Sequence, residues 1–103
     1  IDALNALRKR AFGDSSHNYS ANLSKDDIKK AIVNENKWEL AGEGVRRWYL
    51  CHWGYEYLNN AVQSLKDENP KAAANIKPHH VLFKIPVEEF IKNPNLGSNN
   101  PGY

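Results

Sequence analysis

Two glycines separated by a single residue, Gly42 and Gly44, lie between two stretches whose apolar residues recur at helical spacing. Each glycine inside a helix costs about 1 kcal/mol relative to alanine, so the pair would cost one continuous helix about 2 kcal/mol. The spacing therefore predicts a tight corner between two helices and not a single rod. The surrounding stretch, "KWELAGEGVRRWYLCHWG" from Lys37 to Gly54, holds all three tryptophans of the chain. Trp, Arg and Glu at such spacing build either a buried ion-pair framework or a surface on which a ligand stacks.

Patterns on either side extend the reading. Ser24 and Asp27 fit the first turn of a helix, where the serine oxygen accepts an otherwise orphaned amide. Ile28, Ala31, Ile32 and Glu35 then share one face, so this helix is expected to run through Trp38 to about Ala41. Past the corner, Leu50, Gly54, Tyr57, Leu58, Ala61 and Leu65 make a stripe that predicts one helix from about Val45 to Lys66. Pro70 is expected to stop it, because the ring pushes Asn69 out of the helical region. At the start of the chain, Ile1, Leu4, Leu7 and Ala11 predict a further helix. Arg8, Lys9 and Arg10 lie near its negative end, and Gly13 terminates it.

The remaining segments are irregular. Gly13 to Asn22 is polar and turn-forming, and reads as a surface loop. After Pro78, "HHVLFKIP" reads as one short extended segment. A lone extended segment leaves backbone groups unpaired, so a partner is required, one outside this chain included. Pro86 to Phe90 reads as a short helical turn, and Asn93 to Tyr103 as turn chemistry. The fold class expected is mainly α: helix, glycine corner, helix, then a short extended segment and an irregular tail. At 103 residues this is one domain at most.

Composition narrows the function. A net charge of +2 with both signs interspersed leaves no basic footprint for nucleic acid. Cys51 is the single cysteine, which excludes an intrachain disulfide and an all-cysteine metal site. No apolar run is long enough to span a bilayer. The chain begins in mid-pattern at Ile1 without an initiator methionine, as expected of a fragment or a processed product.

Several side chains are candidates for chemistry. Glu39 and Glu43 lie one turn apart, and a carboxylate pair is what glycoside hydrolysis uses. Arg46 and Arg47 follow at once, however, and a structural carboxylate–guanidinium network across the corner is the stronger expectation. His17, His52, His79 and His80 show no metal-binding spacing, since neighbours on a strand point to opposite faces. Cys51 and His52 diverge by about 100° on a helix, which is poor geometry for a nucleophile and its base. No cofactor is implied. Trp48, His52 and Tyr55 form a stripe apart from the Leu50–Leu65 stripe and call for a second surface, either sugar or more protein. His17 and Tyr19, on the loop, are candidate binding residues by location, and Trp48 joins them as a candidate stacking ring.

Four motifs, in order, make the chain recognisable. Asn5, Arg8 and Arg10 carry an Asn-x-x-Arg-x-Arg helix. Glu35, Glu39, Leu40, Glu43, Gly44, Arg46, Leu50, Trp53 and Gly54 fill a signature helix–corner–helix. Pro86, Glu89, Asn93 and Pro94 form a third piece, and "NNPGY" closes the chain with Asn99 where a glutamine is usual. In these respects the sequence resembles the C-terminal part of the SusD/RagB family, surface glycan-binding lipoproteins of Bacteroidetes. It departs from the pattern at Asn36, Tyr49 and His52, each of which stands where the family carries a charge.

The resemblance implies that residues 1–103 are a C-terminal region of a larger, mostly helical, non-catalytic protein. Such a protein sits on the outer membrane through a lipidated cysteine, and Cys51, in mid-helix, is not that residue. It captures oligosaccharides or polysaccharides and passes them to a SusC-like TonB-dependent transporter. Implied partners are the N-terminal portion of the same protein, the transporter and the glycan. Glu35, Glu39, Glu43, Arg46, Arg47 and Trp53 are then framework, and this chain mainly supplies scaffold. Two alternatives stand beside that reading: a docking element that never touches sugar, and a glycoside hydrolase built on the two glutamates.

Overall fold

A computed structural model describes all residues 1–103, which form six α-helices, two short 3-10 turns and no strand. The chain divides into two compact units, Ile1–Gly44 and Val45–Tyr103.

The first unit contains α1 (Asp2–Phe12) and α2 (Lys25–Glu39). Helix α1 ends where Gly13 turns left-handed and donates its N–H to the Lys9 carbonyl. Ser24 caps α2 as expected, its side chain accepting from the Asp27 N–H at 3.1 Å. The loop between them is tied down by Asn5: its Nδ2 donates to the Tyr19 carbonyl at 3.0 Å, and its Oδ1 accepts the Tyr19 N–H at 2.7 Å. One side-chain amide thus does for Tyr19 what a neighbouring strand would do. After α2, Gly42 and Gly44 both take positive φ, 85° and 73°, a region that residues with a Cβ rarely enter. Ala31 and Glu35 are the buried residues of this unit.

The second unit contains α3 (Arg46–Trp53), α4 (Tyr55–Gln63), α5 (Pro70–Asn75) and α6 (Val87–Lys92). Two expectations are corrected here. The single helix over Val45–Lys66 is broken at Gly54, whose φ of 110° and ψ of 174° are outside the helical region. Pro70 does not stop that helix, because α4 already ends at Gln63; Pro70 instead begins α5, with the Asn69 side chain capping the Ala72 N–H at 3.1 Å. The backbone of α4 still packs on α3, and Leu50 and Leu58 bury between them to 6% and 3% exposure. Gln63 donates to the Ala73 carbonyl at 2.8 Å, joining α4 to α5.

The segment after Pro78 differs from the sequence reading in its first half and agrees in its second. Pro78–Val81 is a 3-10 turn against α3 and α4, and the chain extends from Leu82 onward. Within this chain its backbone is partnered not by a strand but by side chains of the tail. Asn99 exchanges two hydrogen bonds with Ile85, N–H to Oδ1 at 2.9 Å and Nδ2 to carbonyl at 3.0 Å. Asn100 Nδ2 donates to the Phe83 carbonyl at 2.6 Å and the Tyr103 hydroxyl to the Leu82 carbonyl at 2.8 Å. The "NNPGY" ending is therefore a clasp, and it uses the same amide device as Asn5.

Candidate functional site

In the first unit, the arginines of α1 meet the carboxylates of α2. Arg8 Nη1 donates to Glu35 Oε1 at 2.6 Å, with side chains only 13% and 8% exposed. The Tyr19 hydroxyl donates to the same oxygen at 2.9 Å, and Arg8 Nε donates to the His17 carbonyl. Above and beside the guanidinium lie the rings of Tyr19, Phe12 and Trp38, at 4.7, 5.1 and 5.7 Å to their centroids. Desolvation, and then the Glu35 carboxylate it bonds, raise the Tyr19 phenol above its ordinary value. Arg10 bonds Glu39 in a more solvated pair. The partners expected from the sequence were Arg46 and Arg47 for Glu39 and Glu43; Glu39 instead pairs with Arg10, and Arg8 takes Glu35. The Asn-x-x-Arg-x-Arg pattern was the available signal.

The candidate binding residues are in different circumstances. Tyr19 has its hydroxyl on Glu35 and its ring against Arg8. His17 is exposed, with its ring stacked on Phe12 at 4.0 Å. Trp48, in the second unit, is 62% exposed. Its ring lies 5.2 Å from that of Phe83, which Arg47 covers at 4.7 Å. Trp48 lines an open depression of about 570 Å³ together with Tyr49, Cys51, His52, Val81 and Leu82. The depression is mostly apolar, and Tyr49, Cys51 and His52 are the lining residues whose side chains carry a polar group.

The other framework candidates serve α3. Trp53 lies between Tyr49 and Tyr57, at 5.9 Å to each, a ladder of rings one helical turn apart across the Gly54 break. The Arg46 guanidinium is 5.9 Å from the Trp53 ring, and burial lowers its pKa. Arg47 Nη2 donates to the His80 carbonyl at 3.2 Å. Glu43 is exposed at the corner. No group of three or more His, Cys, Asp or Glu side chains is arranged to hold a metal ion. No helix is long and apolar enough to cross a membrane.

Comparison with known proteins adds a lineage to this geometry. The model of the SusD family matches residues 1–103. "SusD-like protein P25" of Formosa agariphila is 38% identical over 103 residues, covering 97% of this chain and 19% of the relative. "SusD-like protein P2" of the same organism is 34% identical over 107 residues, covering 100% of this chain and 20% of the relative. The chain thus spans about a fifth of the length of the curated relatives it matches. No solved structure matches.

Proposed function

This chain belongs to the SusD family, and from that membership we propose that it is the C-terminal scaffold of a larger surface protein that captures oligosaccharides. SusD-like proteins bind and do not catalyse. The whole protein passes its glycan to a SusC-like TonB-dependent transporter and is held at the outer membrane by a lipid anchor. The observation that carries the scaffold role is the use of the motif side chains. Arg8, Glu35, Asn5, Asn99 and Asn100 spend their polar groups on one another and on backbone, so they hold elements together and are not free for a ligand.

Within this reading the framework consists of Arg8 with Glu35, Arg10 with Glu39, Arg47 on the His80 carbonyl and Arg46 beside Trp53, in place of ion pairs from Glu39 and Glu43 to Arg46 and Arg47. Of the three candidate binding residues, Trp48 is the best placed to meet a sugar, because its ring is exposed beside an open apolar depression. His17 is accessible, and Tyr19 is committed to Glu35. A second reading, docking without sugar contact, draws on the same exposed Trp48 and Leu82 surface. In that reading the remainder of the larger protein is the partner that would cover it.

The test is the affinity of the full-length protein for a panel of oligosaccharides, with and without Trp48→Ala. A loss of several-fold with unchanged thermal stability supports sugar contact by this chain. Unchanged affinity with lowered stability supports docking. Failure of the unaltered full-length protein to bind any glycan would overturn the family-based assignment to sugar.

A further inference from the structure

The tail clasp depends on an imidazole that carries no proton on one nitrogen. His80 Nδ1 accepts the Lys77 backbone N–H at 2.9 Å, which a ring nitrogen can do only when unprotonated. That bond closes the 3-10 turn Pro78–Val81, and the turn carries His79 beneath the tail. His79 lies so close to Gly102 that a Cβ there would stand 2.5 Å from its ring. The Tyr103 ring meets His79 edge-on at 4.8 Å, while its hydroxyl reaches the Leu82 carbonyl just past the turn. The seat of the tail is thus the turn that His80 holds.

The groups facing His80 come from every side. Its neighbour His79 is 4.2 Å away between ring centroids, and Lys77 stands at the start of the turn. Helix α3 contributes Arg47 at 3.2 Å and the Cys51 thiol at 3.9 Å, both to the His80 carbonyl. From α4, the Tyr55 hydroxyl is turned to the Ile76 carbonyl at 3.5 Å, and the tail presents Tyr103. The charged groups that act on the ring are His79, Arg47 and Lys77, all cationic or able to become so.

We propose that the tail clasp is a proton-sensitive latch: neutral His80 holds Asn99–Tyr103 against Leu82–Ile85, and protonation of His80 releases them. A proton on Nδ1 converts the acceptor into a donor that faces the Lys77 N–H. It also adds positive charge beside Arg47, Lys77 and His79. Desolvation first, and then those three neighbours, hold the His80 pKa below its ordinary value of 6.5. A base with a depressed pKa in the folded state leaves the unfolded state binding more protons. The latch is therefore at full strength above about pH 6.5, weakens as pH falls below it, and stops weakening once pH is below the folded value.

Amide hydrogen exchange on the full chain tests this. Between about pH 7.5 and 5.5, protection factors at Lys77 and Ile85 are expected to fall by up to about tenfold, the limit for one titrating group over that range. Protection within α2 serves as the reference. In His80→Asn the amide oxygen replaces Nδ1 as acceptor without titrating, and protection is expected to stay flat. A flat wild-type profile, or an equal fall in His80→Asn, would overturn the proposal. Should that variant misfold, NMR titration of the wild type decides. The Ile85 amide shift is expected to move in step with a His80 midpoint below 6.5, and a midpoint at or above 6.5, or an Ile85 signal that does not follow it, contradicts the latch.

Discussion

Arg8 and Arg10 both point at glutamates of α2, yet their pairs differ in worth. Arg8 and Glu35 are 13% and 8% exposed, so each has given up most of its hydration and relies on the other. Arg10 is 66% exposed, and water screens its bond to Glu39. Removing one partner of the first pair leaves a nearly buried charge uncompensated, a loss of about 3–5 kcal/mol. Denaturant unfolding should show a loss of that order for Arg8→Met and of less than about 1 kcal/mol for Arg10→Met. Tyr19 adds a pH dependence of its own. Its phenol pKa is raised in the folded state, mainly by desolvation, so its contribution is complete below about pH 10 and lost as pH rises through the folded value. An alkaline loss of stability beginning near pH 10 should be smaller in Tyr19→Phe. Little of this was legible beforehand. Arg8 and Glu35 are 27 residues apart, and helical periodicity says which face a residue occupies but not which distant residue meets it.

Among the elements, those with local punctuation were readable. Ser24 and Gly13 mark helix ends through backbone groups only a few residues away, and both do so here. Gly54 was misread because it fits the spacing of the Leu50–Leu65 stripe, and a missing side chain looks the same whether it permits close packing or a break. The extended segment was recognised by its β-branched and aromatic residues, but its first three residues, His79–Val81, are held in a 3-10 turn by His80. Its partner, an asparagine amide 14 residues away, leaves no trace in local pattern. Two glycine substitutions separate the physical roles. At Gly44 a Cβ meets nothing within 4 Å, so Gly44→Ala costs only the left-handed backbone, about 1–2 kcal/mol. At Gly102, with φ of 94°, the Cβ also strikes His79, so Gly102→Ala should cost more and free the tail selectively. Limited proteolysis of the last residues is expected to accelerate in Gly102→Ala and not in Gly44→Ala.

Across the whole molecule the core is thin. Ala31, Leu50 and Leu58 are the buried apolar residues, while Trp48, Val87 and Ile91 are each more than 60% exposed. A chain built this way gains little from its own apolar burial and depends on polar devices such as the Arg8–Glu35–Tyr19 cluster and the two asparagine clamps. The family was legible in the sequence because Asn5, Arg8, Glu35 and Asn99 belong to its motifs, while exposed rings such as Trp38 and Trp48, which packing or ligands would explain, do not. The proposal that this region is scaffold predicts that stability and glycan affinity separate. The direct measurement is calorimetric glycan affinity and unfolding free energy of the full-length protein, in wild type and in Glu35→Gln. Scaffold predicts a marked loss of stability with affinity unchanged while the protein remains folded. Affinity lost at unchanged stability would contradict it and move the sugar into the Arg8–Glu35–Tyr19 cluster.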